Sequence, residues 1–469
     1  MILTKSELLA LLAMSFALFM DGIDANIVSL ALPSLAEYFD TDTNTVAWVT
    51  ITYFMMVAGL MLTFGRIASS GHIKKMYMAG FAIFTASSVV CGMSEDLGLL
   101  IAARCVQGVG AAILAAVAPM ICVKFISPSN LGLAFSALIL SGALGFGCGP
   151  GVGGLILDTL SWHWVFYINI PLGFLAIYLA SKGIPKDCVT DSSRIDYKGG
   201  ALIFVTVASG IYVLEMFSRE GQGMICLVMA LVMIVSLLTL VFVEKRSASP
   251  IIRPALFQGW KFNTSVACYL LLNLAYMGIS YVIPFYIMKE LSISYSMAGL
   301  ILLLPYAITV LLSLPMGRYC DVHGRTKVSI LTTVLLVMMS VGYYLITPEM
   351  GWAPLIPIGI IMGVLWGICG ASLTSLIVDL APAEERNIAS TMTNFIYYTG
   401  GAVGTALFAS LVAFGSGAPG VSLEVLTPAE FMSGYSFTML CAVVISIATV
   451  AMICAVVSKM KKAVDSTSE

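Results

Sequence analysis

Long apolar runs separated by short polar connectors dominate this chain. An α-helix rises 1.5 Å per residue, so about 20 mostly apolar residues are needed to cross the hydrocarbon core of a bilayer. The runs are too long, and alternate too little, to be strands of a membrane barrel. They predict fourteen transmembrane helices, centred near residues 8–32, 46–65, 76–94, 97–122, 131–157, 164–181, 199–217, 223–243, 262–288, 296–317, 327–346, 354–378, 388–414 and 433–458.

Two polar connectors, at residues 182–198 and 244–263, divide these helices into groups of six, two and six. Neither connector is long enough to fold as a soluble domain. The predicted organisation is therefore a six-helix bundle, a linker with an inserted two-helix hairpin, and a second six-helix bundle, at residues 1–182, 183–261 and 262–469 respectively.

The composition supports a membrane environment. Of 469 residues, 59% are hydrophobic and 10% are charged, whereas a soluble protein carries roughly 25% charged residues. A surface that faces hydrocarbon is penalised for charge, so we expect the lipid bilayer to be the main partner. The net charge of −2 indicates no nucleic-acid partner. The eleven cysteines form no CxxC pair, and no histidine has a partner at ligand spacing, so no metal site is expected.

The distribution of positive charge orients the helices. With both termini inside, cytoplasmic segments hold 20 of the 23 lysines and arginines, while Arg219 and Lys289 lie outside and Arg104 lies within a helix. This asymmetry follows the positive-inside rule. It predicts cytoplasmic termini and a multi-pass protein of the plasma membrane.

An internal repeat follows the second helix of each six-helix group. Residues 65–75 read GRIASSGHIKK, and residues 317–327 read GRYCDVHGRTK. Both are short basic turns at matching cytoplasmic positions. Two structurally related halves would produce such a pair.

Three charged residues lie well inside predicted helices, away from their ends, and a charge at the bilayer centre costs at least ~2.5–3.5 kcal/mol. Asp21 and Asp24 are three residues apart on helix 1, and Arg104 is about two turns into helix 4. A buried carboxylate can bind and release a proton, or it can meet a cationic substrate. The alternative is a fixed Asp24–Arg104 ion pair that joins the two helices. We favour a functional role for Asp24, and both readings stay open for Asp21.

Helix 5 carries glycines at intervals of about four residues, together with a proline. Such a stripe allows another helix to approach closely, and the proline permits a kink. The residues are Gly145, Gly149, Pro150, Gly153 and Gly154.

Four segments of the first half, taken in order, resemble motifs of the major facilitator superfamily, in its fourteen-spanner drug:proton antiporter branch. DANIVSLALP at 24–33 is similar to the first-helix signature LDxTIVNVALP, and LIAARCVQGVGAA at 100–112 is similar to the helix-4 motif. The helix-5 glycines resemble the antiporter motif, and SWHWVFYINIP at 161–171 resembles the turn that enters helix 6.

The resemblance implies an all-α membrane fold in which two six-helix bundles rock around a central cavity and alternate access to each side. It implies that Asp24, Arg104 and Asp21 belong to the proton and substrate machinery, and that the helix-5 stripe contributes to the interface between the bundles. It also implies a conformational gate in the basic turns, at Gly65, Arg66, Asp321, Gly324 and Arg325. We also expect transport to be driven by a proton gradient without a cofactor. The protein is expected to be a monomer that binds a small-molecule substrate.

This chain departs from the family pattern in two ways. In the turn at 65–75, Ser69 and His72 stand where the family has an aspartate and a glycine, whereas the second copy keeps Asp321, Gly324 and Arg325. We therefore predict a weakened outward-facing state. Helices 10 and 13 lack the acids expected of multidrug members, which leaves neutral and anionic substrates open. Candidate cavity residues are Asn26, Gln107, Asn394, Tyr397 and Tyr398, with further aromatics at Tyr276, Tyr281, Phe285, Tyr306 and Phe395.

Two transport functions follow from these features. The first is a proton-coupled antiporter that exports small organic compounds, and the second is a facilitator or symporter that takes up an organic metabolite. An enzyme is not expected, because no loop is long enough for a catalytic domain and no nucleophile–base or metal cluster occurs in the helices.

Overall fold

The computed structural model describes residues 4–41, 43–187, 196–216, 223–247, 250–251, 253–257, 259–291, 293, 295–417, 423 and 426–465. Within them the chain forms fourteen helices of at least 15 residues, joined by short turns and single-turn helices. In chain order these helices are α1 Lys5–Tyr38, α2 Trp48–Ile67, α3 Ile73–Gly92, α4 Leu97–Phe125, α5 Leu131–Thr159, α6 Asn169–Gly183, α7 Tyr197–Met216, α8 Gly223–Arg246, α9 Trp260–Glu290, α10 Tyr295–His323, α11 Arg325–Leu345, α12 Leu355–Leu380, α13 Arg386–Gly415 and α14 Pro428–Asp465.

Thirteen helical runs of the described residues are long and apolar enough to cross a membrane. One of them, Trp48–Gly92, has 45 residues and contains both α2 and α3. A π-helical turn at Ala68–His72 joins the two, and Gly71 within it adopts φ 111°, which favours glycine because it has no Cβ. The expected all-helical membrane architecture is confirmed. The count of fourteen spans, the 6 + 2 + 6 division and the location of the termini stay predictions.

The helices pack as two groups that follow the order of the chain. In the first group, α1 contacts α4, α5 and α6, and α4 contacts α2 and α3. In the second, α9 packs on α13 and α14, while α12 packs on α10 and α11. Helices α7 and α8 pair with each other, and α7 lies against α2. We call the groups α1–α6 and α9–α14 the N-bundle and the C-bundle. Residues 188–195 of the predicted linker lie outside the described residues.

The two bundles meet through α5 against α10, and through α2 and α4 against α13. They approach each other closely near the two basic turns, where Gly317 fits against Ser136 and Gly65 fits against Thr391 with no room for a side chain. We call this end the basic-turn face. Further along α5, beside Gly151 and Gly154, no neighbouring atom lies within 4 Å of the space that a side chain would enter. The interface is therefore closed at the basic-turn face and looser toward the other end.

The glycine stripe of α5 faces α1 inside the N-bundle. Gly145 lies against the backbone of Phe19, Gly149 lies against Asn26, and Gly153 contacts Ile27. The expectation that this stripe contributes to the interface between the bundles is wrong for these three glycines, because α5 meets α10 through a different face. Gly154 borders open space, and the side chain of Pro150 lies outside the described part of the chain.

Candidate functional site

A cavity of about 130 Å³ lies between the two bundles and is lined by residues of both. The N-bundle wall is mostly aliphatic and phenyl, with one acid; it includes Leu18, Asp21, Phe135, Leu138, Ile139 and Phe146. The C-bundle wall is richer in tyrosine and indole; it includes Tyr269, Tyr276, Tyr306, Trp366, Tyr397 and Tyr398.

Asp21 lies at the cavity wall and is bonded from both bundles. Its Oδ1 accepts a hydrogen bond from the Tyr53 hydroxyl of α2 at 2.8 Å. Its Oδ2 accepts one from the Tyr398 hydroxyl of α13 at 2.5 Å. Hydrogen bonds to a carboxylate are stronger than neutral ones. The Asp21 carboxylate thus links α1 to α2 within the N-bundle and to α13 across the cavity.

Asp24 belongs to a separate network that is closed inside the N-bundle. Its Oδ2 lies 2.6 Å from Arg104 Nη1, and neither side chain has any exposed surface. Its Oδ1 accepts from the amides of Gln107 at 3.1 Å and Asn169 at 2.9 Å. Buried charges are tolerated when they are paired and hydrogen-bonded, and this pair meets both conditions.

Arg104 is held on several sides. Its Nε donates to the Val49 carbonyl at 3.0 Å and its Nη1 also donates to Gln107 Oε1 at 2.7 Å. The guanidinium lies 4.1 Å from the centroid of the Tyr53 ring, which is close enough for a cation–π attraction. Tyr53 therefore contacts both acidic sites, with its hydroxyl on Asp21 and its ring on Arg104.

The two aspartates point to different surroundings although they are three residues apart. Consecutive helix residues rotate by 100°, so a spacing of three leaves their directions about 60° apart. That angle is enough to place Asp24 inside the N-bundle and Asp21 at the cavity. Of the two aspartates, only Asp21 borders the cavity.

The predicted cavity residues divide into two sets. Asn394, Tyr397 and Tyr398 line the cavity, as do Tyr276 and Tyr306. Gln107 is instead fully buried in the Asp24 network. Asn26 donates to the Gly22 carbonyl at 3.2 Å and packs against Gly149. Both expectations of cavity lining are therefore wrong, because these side chains are occupied within the N-bundle. Tyr281, Phe285 and Phe395 are likewise not part of the wall.

Sequence reasoning missed several aromatic residues of the wall, chiefly Trp366, Tyr269, Phe135 and Phe146. A signal for Tyr269 was available, because it is seven residues before Tyr276 and therefore shares its helix face. Trp366 had a weaker signal. A tryptophan in an otherwise apolar helix carries an N–H that favours a polar border such as a cavity wall.

At the basic-turn face, the turn at 317–327 binds the start of α5. The Asp321 carboxylate accepts from the backbone N–H groups of Gly132 at 2.9 Å and Leu133 at 3.0 Å. Arg325 pairs with Asp321 at 3.5 Å and with Asp379, and it donates to the Pro128 carbonyl at 2.6 Å. Gly324 has φ 92°, a conformation that favours glycine. Asp321, Gly324 and Arg325 thus lie together at a contact between the bundles.

The matching turn at 65–75 makes different contacts. The Ser69 hydroxyl donates back to the Arg66 carbonyl at 2.8 Å and does not cross to the C-bundle. The Arg66 guanidinium lies 3.8 Å from the carboxylate of Glu385, which immediately precedes α13. Glu385 is 3% exposed and also pairs at 3.0 Å with Arg253 from the segment before α9. Glu385 and Arg253 were not among the sequence-predicted gate residues.

Within the described residues, no group of three or more histidine, cysteine, aspartate or glutamate side chains is arranged to hold a metal ion.

Comparison with known proteins gives consistent matches along the chain. The family model described as Major Facilitator Superfamily matches residues 14–405. The riboflavin transporter RibZ of Clostridioides difficile is 28% identical over 415 residues, covering 87% of this chain and 89% of that protein. The multidrug resistance protein Stp of Mycobacterium tuberculosis is 25% identical, covering 88% and 77%. The probable multidrug resistance protein EmrY of Escherichia coli is 26% identical, covering 85% and 79%.

A solved structure has the same fold. The human organic anion transporter MFSD10 (TETRAN) superposes with a TM-score of 0.64 at 12% identity, covering 95% of this chain and 99% of that one. At that identity the likeness bears on the fold alone.

Proposed function

Because the chain belongs to the major facilitator superfamily, we propose that it is a proton-coupled antiporter that exports small organic compounds by alternating access. It is a multi-pass transporter of the plasma membrane, and it is not an enzyme. Proton coupling, antiport and the identity of the proton site are the parts that we propose.

The observation that carries the proposal is the position of Asp21. Among the described residues that line the cavity it is the single carboxylic acid, and its two oxygens accept from opposite bundles. A proton bound there changes a contact between the bundles. A proton bound to Asp24 would instead have to break a fully buried ion pair inside one bundle.

For orientation, we place the basic turns and both termini in the cytoplasm, with fourteen spans arranged as 6 + 2 + 6. The excess of lysine and arginine on that side supports this placement. The closed basic-turn face then makes this conformation outward-facing, with the cavity toward the outside.

In the proposed cycle, ionised Asp21 accepts from Tyr398 and holds α13 near α1. Protonation removes the negative charge and weakens that charge-assisted bond, because a neutral carboxyl is a poorer acceptor. The bundles can then rearrange to face the cytoplasm, where cargo enters and the proton leaves. A ligand shifts such an equilibrium only by its difference in affinity for the two states. The proton supplies that difference at Asp21. Asp24 and Arg104 hold α1, α2 and α4 in place throughout.

Purified protein in proteoliposomes tests this proposal. Riboflavin, acridone and 9-aminoacridine would be added in turn under an imposed pH gradient, with an internal pH dye to report proton movement. We expect at least one compound to drive proton flux in the opposite direction. We expect Asp21→Asn to remove that flux while leaving the protein folded. Asp158→Asn, at an exposed acid beyond the cavity, is the matched control and should keep the flux.

Asp24→Asn distinguishes the two acids. It leaves the Arg104 charge buried without its partner, so we expect a lower melting temperature and less folded protein. The protein that remains should keep its ratio of protons to cargo. Cargo movement by the wild type that ignores the pH gradient would exclude antiport.

Uptake of an organic metabolite is the alternative function. The similarity to a riboflavin transporter over most of both chains favours it, as does the scarcity of acids in the C-bundle wall. Riboflavin moving together with protons, or down its own gradient without them, would support this alternative in the same assay.

A further inference from the structure

We infer that the cargo of the central cavity is an uncharged, planar aromatic compound that packs against the aromatic C-bundle wall, to which Trp366 and Tyr276 belong. This inference rests on the proposed transport function, and it adds the charge and shape of the compound that is carried.

The charges of the cavity argue against ionised cargo. Among the described residues, no lysine, arginine or histidine lines it, so an anion entering the low-dielectric site would lose hydration without gaining a positive partner there. Its one acid, Asp21, already accepts from two phenol hydroxyls at 2.8 Å and 2.5 Å. The carboxylate keeps further acceptor sites, but a cation would share it with two phenols that already donate to the charge, which reduces what the cation gains.

The polar groups of the wall suit a neutral compound with hydrogen-bonding edges. The Ser280 hydroxyl donates to the Tyr276 carbonyl at 2.7 Å, and the Asn394 amide donates to the Ala115 carbonyl at 2.9 Å. A hydroxyl or amide that donates in this way still offers an acceptor oxygen. The hydroxyls of Tyr276, Tyr306 and Tyr397 add groups that both donate and accept.

The aromatic side chains of the wall form a layered surface. The rings of Tyr276 and Trp366 are stacked, with centroids 4.3 Å apart and planes 21° apart. Tyr397 continues the surface at 5.8 Å from Trp366, and Tyr398 meets Tyr397 edge-on at 5.2 Å. Offset stacking is favourable between flat rings. The facing sides of Tyr276 and Trp366 are covered by each other, so a flat compound would pack against the outer rings and edges of this layer, where it gains more contact than a globular one of equal area.

Equilibrium binding to the intact protein in detergent, without a proton gradient, tests the inference. Three tricyclic probes of similar shape differ in charge at neutral pH: acridone is neutral, acridone-10-acetate is an anion, and 9-aminoacridine is a cation. We expect acridone to bind about 10-fold more tightly than either charged probe. Equal or tighter binding of a charged probe would overturn the inference.

Variants separate stacking from general damage. Trp366→Leu should weaken acridone binding about 10-fold, while Trp366→Phe, which keeps a flat ring, should stay within about 3-fold of wild type. Trp352→Leu, in the exposed connector before α12, is the matched tryptophan control. Should Trp366→Leu fail to fold, the other two variants decide. If Trp366→Phe and Trp352→Leu lose the same amount of acridone affinity, the role of Trp366 is refuted.

Tyr398→Phe gives a prediction of opposite sign. It removes one phenol from Asp21 and exposes an ionised oxygen, so binding of 9-aminoacridine should improve about 5-fold relative to acridone. An unchanged ratio would contradict the claim that the phenols mask the charge.

The binding measurements need no proton gradient, so they test this inference separately from antiport. If the protein prefers the neutral probe but shows no proton flux in liposomes, only the antiport proposal is refuted. Flux with a cationic probe as the preferred ligand would refute this inference alone.

Discussion

The two basic turns occupy matching positions in the two bundles, and they hold the closed face together in different ways. In the turn at 317–327, Asp321 reaches across the interface and binds two backbone N–H groups at the start of α5. In the turn at 65–75, Ser69 bonds to its own turn instead. There the acid is Glu385, which precedes α13 in the opposite bundle and faces Arg66 and Arg253.

Both contacts between the bundles therefore contain an acid, but its position differs. At 317–327 the acid belongs to the turn, and at 65–75 it belongs to the helix start that faces the turn. The two solutions should differ in strength. Asp321 is 8% exposed and makes directional bonds at a helix N-terminus, where the helix dipole favours negative charge. The Arg66–Glu385 pair is long at 3.8 Å, and Arg253 is 36% exposed, so solvent screens part of that attraction.

The largest expected effect comes from Asp321→Asn. The substitution removes the negative charge from the α5 N-terminus and weakens two charge-assisted hydrogen bonds, at a cost of about 2 kcal/mol. That cost corresponds to about a 30-fold shift away from the closed basic-turn face. Double electron–electron resonance between spin labels at positions 75 and 327, in a cysteine-free background, measures the shift. Asp158→Asn is the control, and an unchanged distance distribution in Asp321→Asn would disprove the assignment.

A smaller shift is expected for Glu385→Gln, because its two arginine partners are distant or partly solvated. The expected cost is about 1 kcal/mol, which changes the ratio of closed to open populations roughly 5-fold and is read from the same distance distribution. Arg253→Gln should give only part of that change, since Arg66 remains. If Arg253→Gln shifts the populations as much as Glu385→Gln does, Arg66 contributes nothing and Glu385 acts through Arg253 alone.

The smallest effect is expected from Ser69→Asp, which restores the acid that the second copy has. It should favour the closed basic-turn face by about 2- to 3-fold, because an aspartate there can approach the start of α13. Glu385 lies nearby and repels the new charge, so the gain should be larger in the Glu385→Gln background. Unchanged cysteine accessibility in both backgrounds would show that the turn position has no influence on the gate.

Much of the fold was predictable because lipid imposes a simple rule on sequence. Every backbone polar group in a membrane must be satisfied within its own helix, so spans appear as long apolar runs with polar ends. The predicted run at 354–378 agrees closely with α12 Leu355–Leu380, and the run at 262–288 with α9 Trp260–Glu290. Helix α1 extends well beyond the predicted 8–32, to Lys5–Tyr38. The residues at its two ends are more polar, so the apolar run does not include them, although they continue the helix.

The site was only partly predictable, for a reason that Asp21 and Asp24 illustrate. Their sequence contexts are alike, and the cost of burial singles out both. Only packing determines that Asp24 meets Arg104, Gln107 and Asn169 while Asp21 meets Tyr53 and Tyr398. Those partners lie between 32 and 377 residues away along the chain, and no local pattern encodes such distances.

Local features of the sequence were enough to indicate the lipid environment, the helices, the family and the costly charges in helices 1 and 4. These properties depend on local composition, on periodicity and on short motifs. The tertiary structure alone decided which aspartate borders the cavity, which aromatic rings form its wall, and which acid crosses the interface at each basic turn. These depend on the rotation of each helix about its axis and on the faces it presents to its neighbours. A difference of about 60° is enough to move a carboxylate from a closed network to the central cavity.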